Sequence, residues 1–154
     1  MKKILIILMV FVSTLFFTGC GQKNIEGKLD DLMDNVYKDI KEDDLPMMIE
    51  QIKLNDENIA NFVGTKEIDY KEALASESGI GSYAHSVVLL RAKDDADIEK
   101  MKETIKKEIN PRKWVCVGVE RDEVVVENRG NLIIVIIESD EKLRKTLLDR
   151  FNKL

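Results

Sequence analysis

Hydrophobic residues recur at three- and four-residue spacing in three segments of the chain, and this spacing predicts amphipathic helices. The first segment spans about 25–42, the second follows an N-cap at Asp94 and stops at Asn110–Pro111, and the third follows a capping sequence at Ser139–Glu141. Their apolar faces contain Leu29, Leu32, Met33, Val36, Tyr37 and Ile40, then Ile98, Met101, Ile105 and Ile109, and finally Leu143, Leu147, Leu148, Phe151 and Leu154.

Other segments have the β-branched and alternating residues that are typical of strands. Six consecutive apolar residues at 132–137 leave no polar face, which indicates a central strand covered on both sides. Glu127–Gly130 has the composition of a hairpin turn. Trp114–Val119 is interpreted as a strand or as an irregular segment packed on the preceding helix. The remaining predicted strands are 68–75, 85–91 and Glu123–Val126.

Turn residues separate these elements. Pro46 is placed to open a short helix over 47–54, and Gly64 to end a short turn that follows it. Gly79–Ser82 is predicted to be a turn between two strands. The order of elements predicts an α+β fold, with a mainly antiparallel sheet of four or five strands covered by amphipathic helices.

The first twenty residues differ from the rest of the chain. Lys2 and Lys3 precede an uncharged run over 4–17, which as a helix is about 21 Å long and too short for a bilayer core of about 30 Å. Such a segment is typical of a signal peptide. We expect residues 1–19 to be the signal peptide, residues 20–24 a short tether, and residues 25–154 one domain.

The sequence Phe17-Thr18-Gly19-Cys20 resembles the lipobox of bacterial lipoproteins, although Phe17 stands where that motif usually has Leu. The resemblance implies that Cys20 is acylated on sulfur and becomes the new N-terminus. An uncleaved N-terminal anchor with an incidental cysteine is the alternative. Both alternatives place the domain at a membrane face, and the lipobox implies the extracytoplasmic face of the cell membrane.

The charge of the chain limits its partners. The 154 residues include 24 Lys and Arg and 29 Asp and Glu, for a net charge of −5. Without Lys2 and Lys3, 22 cations face the same 29 carboxylates, and the net charge becomes −7. This negative net charge argues against nucleic acid as a partner. It also predicts that the domain is repelled by an anionic bilayer and does not lie on it.

Candidate chemical groups are few. Cys116 lies near two cations that would favour a thiolate, but its apolar neighbours favour a buried structural role. His85 is the sole histidine, and Ser86 points to the other face of the same predicted strand, so a catalytic pair is disfavoured. Neither the glycines at 79–81 nor the acidic clusters at 43–44 and 94–97 match a phosphate loop or a calcium loop. We expect no metal and no cofactor.

Arg112, Lys113 and Trp114 form the candidate interaction surface, because Trp and Arg dominate the energetics of protein interfaces. The alternative is a core tryptophan at one end of the sheet, with one of the two cations stacked on it.

Four segments together resemble a family of small Gram-positive lipoproteins that is defined only as a domain of unknown function: Phe62–Gly64, Ala73–Ser78, Pro111–Glu120 and Val124–Ile137. The resemblance spans about 25–154 and implies a lipoprotein setting without an established activity. We therefore expect a lipid-anchored, non-enzymatic binding or interaction module with a protein partner at the membrane surface. The alternatives are a solute-binding accessory lipoprotein of a transporter and a thiol or serine hydrolase.

Overall fold

A computed structural model describes residues 23–154, so the predicted signal peptide and Cys20 lie outside the described residues. The described chain contains one five-stranded antiparallel sheet and four α-helices, which confirms the α+β prediction. The elements are α1 (Leu29–Tyr37), β1 (Ile49–Leu54), α2 (Ala60–Val63), β2 (Tyr70–Ser78), β3 (His85–Ala92), α3 (Ile98–Glu108), β4 (Val125–Arg129), β5 (Leu132–Glu138) and α4 (Glu141–Phe151).

The strand order is β1-β2-β3-β5-β4, so β3 is the middle strand. The pairing of β3 with β5 places His85 opposite Glu138 at one end of the sheet and Arg91 opposite Leu132 at the other. We call these the far end and the tether end. They lie about 20 Å apart, because six residues of strand rise about 3.4 Å each.

Both faces of the sheet are covered, and each face has its own hydrophobic core. Helices α1 and α4 pack on one face, and α2 and α3 pack on the other. Neighbouring residues of β3 alternate between the two cores, with Val87 in the first and Val88 in the second. The six apolar residues at 132–137 are all buried, as their lack of alternation predicted. Residues 23–154 therefore contain two hydrophobic cores, one on each face of the sheet.

Several predicted boundaries are confirmed. Asp140 is the N-cap of α4, with its side chain accepting from Leu143 N at 2.7 Å. Gly130 has a φ of 53° in the tight turn between β4 and β5. Gly64 ends α2 with a φ of 85°.

The predicted helix over 47–54 is wrong, because β1 occupies this segment. Ile49 and Ile52 have helical spacing, but the segment pairs along its whole length with β2, from Ile49 opposite Ser78 to Leu54 opposite Ala73. Long-range pairing thus overrides the local pattern.

Of the two interpretations of Trp114–Val119, the strand is wrong and the irregular segment is confirmed. These residues form an irregular loop, and Cys116 within it has a φ of 65°. Gly118 packs so closely on the start of the loop that an added Cβ would lie 2.7 Å from Pro111 O. A loop folded back on itself in this way cannot present an extended edge to the sheet.

Two helices are shorter than predicted. Helix α1 covers only part of the predicted segment 25–42. The N-cap of α3 is Asp97, which accepts from Lys100 N at 3.0 Å, and the predicted cap Asp94 instead forms an ion pair with Lys71 at 2.7 Å.

The chain before α1 is fixed to the tether end of the sheet. The guanidinium of Arg91 donates to Ile25 O and, at 2.6 Å, to Gly27 O. Its Nε donates to Glu72 at 2.7 Å. Ile25 N donates to the Asn131 side chain at 3.2 Å. The segment that follows the predicted tether is therefore held in place from its first residues.

Candidate functional site

The far end of the sheet brings together most of the buried polar side chains of residues 23–154, whereas Arg91 is buried at the tether end. The ends of β2 and β5 and the start of β3 meet there, under the turn at 79–82 and the loop at 110–120. One polar network lies on the α1/α4 face, and a second lies on the α2/α3 face.

The first network joins Tyr37, His85 and Glu138. Tyr37 Oη lies 2.7 Å from His85 Nε2, and His85 Nδ1 lies 2.5 Å from Glu138 Oε2. His85 and Glu138 have no exposed surface. The other carboxylate oxygen, Oε1, accepts from Asp140 N at 2.7 Å and from Ser139 Oγ at 3.4 Å. Every polar atom of the His85 ring and of the Glu138 carboxylate therefore has a partner.

Donor and acceptor roles follow from these contacts. A carboxylate oxygen is the acceptor in this contact, and the donor is His85 Nδ1. Ser76 also hydrogen-bonds the Tyr37 phenol, and burial, the largest cause, raises the pKa of Tyr37 well above its ordinary value of 10.0. A phenol that accepts from Ser76 keeps its own proton to donate to His85 Nε2. The chain of hydrogen bonds then runs from Ser76 through Tyr37 and His85 to Glu138.

Ser86 does not join this chain. Its neighbour His85 faces α1, whereas Ser86 pairs with Glu77 and Ile137, which lie on the opposite face of the sheet. The Ser86 hydroxyl is buried without a hydrogen-bond partner among the described residues. The prediction that His85 and Ser86 cannot form a catalytic pair is confirmed.

The second network contains the residues predicted to form an interaction surface. Lys113 Nζ lies 2.9 Å from Glu77 and 4.3 Å from the centre of the Phe62 ring. Burial lowers the pKa of Lys113, and the Glu77 carboxylate opposes that effect. Lys113 also lies over the Trp114 ring at 5.0 Å, as the alternative of a stacked cation and tryptophan anticipated.

The three predicted residues thus differ in accessibility. Arg112 is exposed but pairs with Glu120, and Lys113 is mostly buried. Trp114 packs against the core, and its Nε1 is buried without a hydrogen-bond partner among residues 23–154. These side chains hold the loop on the sheet; Arg112 is exposed, whereas Lys113 and Trp114 are each only partly accessible to another molecule.

Exposed apolar residues lie beside this loop, and sequence reasoning missed them. Met47, Met48 and Val115 expose 75%, 66% and 74% of their surface. They flank the turn at 79–82, since Gly79 N donates to Met48 O at 2.7 Å and Val115 N donates to Gly81 O at 3.1 Å. We call these three residues, with Cys116, the far-end patch. A Met-Met pair directly after Pro46 was the only signal in the sequence.

Cys116 is exposed, which overturns the expectation of a buried structural cysteine. Its backbone is left-handed, and its neighbour Val115 is exposed as well, so the apolar sequence around Cys116 does not form part of the core. Met48 also has a positive φ of 57°. Non-glycine residues in this conformation cost about 1–2 kcal/mol each, so the surrounding contacts must fix the backbone of the patch.

Metal ligands do not cluster in the described part of the chain, where no group of three or more His, Cys, Asp or Glu side chains could hold an ion. Among residues 23–154, no helix is long and apolar enough to cross a membrane. Comparison of the chain with protein-family profiles, curated proteins and solved structures found no match. The resemblance to a lipoprotein family therefore stays a prediction from the sequence.

Proposed function

We propose that this chain is a lipid-anchored, non-enzymatic interaction module on the extracytoplasmic face of the cell membrane. Cys20 carries the lipid, and the domain presents its far-end patch to a protein partner. The anchor is supported by the lipobox-like sequence that ends at Cys20 and by the short uncharged segment before it.

The far-end patch is the observation that carries the proposal of an interaction role. Single exposed hydrophobic residues are common, but three large ones gathered at one turn are typical of contact surfaces. Two residues of the patch, Met48 and Cys116, are held in a strained backbone conformation. A preformed surface loses less conformational entropy on binding, which favours association.

The hydrolase alternative has one supporting observation, the exposed thiol of Cys116. A cysteine nucleophile needs a base or a cation to form the thiolate. His85 is the only histidine of the chain, and its ring is fully buried with both nitrogens engaged. This arrangement favours the interaction role over a cysteine–histidine enzyme.

The anchor is tested by growing cells with a labelled fatty acid and comparing two cysteine variants. Cys20→Ala should abolish incorporation of the label, because no thiol remains at the lipobox position. Cys116→Ala is the matched control and should be labelled like the wild type. Labelling that survives in Cys20→Ala would refute the anchor.

The partner surface is tested by placing a photo-crosslinking amino acid at Val115 in cells that express the full chain. We expect a discrete adduct with one protein. The control position is Lys66, an exposed residue away from the patch. Equal adducts from both positions, or none from Val115, would contradict the proposed surface.

A further inference from the structure

A basic pocket lies beside the tether end of the sheet and extends along α1 to Lys38. It encloses about 740 Å³ between the start of the described chain, helix α1 and the end of α4. Glu26 is the one acidic side chain of its lining. Five cations line it: Lys23, Lys38, Arg129, Arg150 and Lys153.

Part of this positive charge is balanced, because Glu26 lines the pocket and Asp39 lies beside Arg150. Lys38 and Lys153 have no ion-pair partner among residues 23–154. Arg150 lies 3.6 Å from Asp39, and Arg129 donates to the backbone oxygen of Phe151 at 3.5 Å. The pocket thus concentrates cations in a domain whose net charge is −7.

The acidic and basic side chains around α4 are distributed unevenly between its two ends. The pocket surrounds the end of this helix, whereas Asp43, Asp44 and Asp140 line a separate surface pocket near its start. The helix has 11 residues, so about 16 Å separates its two ends. The domain has a negative net charge, but one of its ends is basic.

The basic end is also the end from which the tether leaves. Arg91 and Asn131 hold residues 25–27 beside the pocket, and Lys23 lines it. Cys20 is three residues before Lys23, and three residues span at most about 11 Å even when fully extended. A lipid on Cys20 would bring this pocket to the surface of the bilayer.

We propose that the basic pocket binds the phosphate headgroups of anionic phospholipids and orients the domain with its tether end on the membrane. The orientation rests on the proposed anchor at Cys20. The binding of headgroups depends only on residues within 23–154. This proposal replaces the expectation that the acidic body stands off an anionic bilayer, because that expectation used only the net charge and not its distribution.

The experiment uses residues 23–154, which contain the five strands, the four α-helices and both hydrophobic cores, so its result does not depend on acylation. The protein is sedimented with vesicles of phosphatidylcholine alone and with mixed vesicles that also contain phosphatidylglycerol. We expect binding to the mixed vesicles only, and we expect added salt to weaken it. Replacing Lys38 and Lys153 by Gln should lower the partition coefficient by about fivefold for each cation removed.

The matched control replaces Lys106 and Lys142 by Gln, which changes the net charge equally on exposed surfaces outside the pocket. This control should bind like the wild type, and both double variants should keep the wild-type thermal midpoint. Equal weakening by both double variants, or equal binding to both kinds of vesicle, would overturn the proposal. Binding of inorganic phosphate without a preference for phosphatidylglycerol vesicles would also overturn it. Fatty-acid labelling at Cys20 tests the anchor separately.

Discussion

His85 Nδ1 lies 2.5 Å from Glu138 Oε2, and the two residues are direct cross-strand partners at the far end of the sheet. Neither side chain has exposed surface. The pair joins the middle strand to its neighbour, and through Tyr37 it also joins the sheet to α1. This end of the core is therefore held by polar contacts that must all be satisfied together.

Glu138→Ala should destabilise the domain by about 2–4 kcal/mol, because it leaves two buried donors without an acceptor. It leaves His85 Nδ1 and Asp140 N without their acceptor. Urea unfolding measures the loss, with Glu103→Ala as an exposed control that we expect to change stability by less than about 0.5 kcal/mol. A loss for Glu138→Ala as small as that of the control would show that the network contributes little.

Tyr37→Phe should change how stability depends on alkaline pH. The unfolded phenol ionises above pH 10, whereas burial raises the pKa of folded Tyr37 well above that value. Above pH 10 the folded state therefore binds more protons, and stability falls by about 1.4 kcal/mol per pH unit from this group. Urea midpoints measured from pH 8 to pH 11 should fall less steeply for the variant than for the wild type. Parallel curves would mean that Tyr37 titrates normally in the fold.

Two glycines offer a matched test of the packing between α2 and α3. An added Cβ at Gly64 would lie 2.2 Å from the backbone of Glu108, and its φ of 85° disfavours other residues. At Gly81 the same atom would meet nothing within 4 Å. Gly64→Ala should cost at least about 2 kcal/mol, and Gly81→Ala should stay within about 0.5 kcal/mol, as measured by thermal unfolding. Similar losses at both positions would contradict the close approach at Gly64.

Cys116 should react with a bulky maleimide in the native protein as fast as in urea, since its side chain is exposed. The experiment uses residues 23–154, in which Cys116 is the only cysteine. Mass spectrometry at successive times gives the two rates. A native rate that is much slower than the unfolded rate would restore the earlier expectation of a buried thiol.

The elements predicted correctly are those whose pattern needs no distant partner. The run of six apolar residues at 132–137, the spacing from Ile98 to Ile109 and the cap at Asp140 each carry their own signal. Strand β1 fails this condition, because an edge strand with few apolar residues depends on its pairing with β2. Cys116 fails it too, since its exposure follows from a backbone turn that no neighbouring residue type requires.

The buried network could not have been predicted in the same way. His85 meets Glu138 through a strand register across 53 residues, and it meets Tyr37 across 48. Neighbouring residues of a strand point to opposite faces, and this rule alone predicts that His85 and Ser86 are separated. The structure confirms that prediction. The alternation of side chains indicates which residues cannot meet, whereas the partners of His85 depend on the strand register and on how the helices pack.

The hydrogen bonds from Arg91 to the first residues of the domain also determine how a mechanical force on the chain reaches the sheet. Arg91 belongs to β3, the middle of five strands, and it holds the backbone at Ile25 and Gly27. A force on the chain ahead of Lys23 is therefore shared between the middle strand, through Arg91, and the turn between β4 and β5, through Asn131.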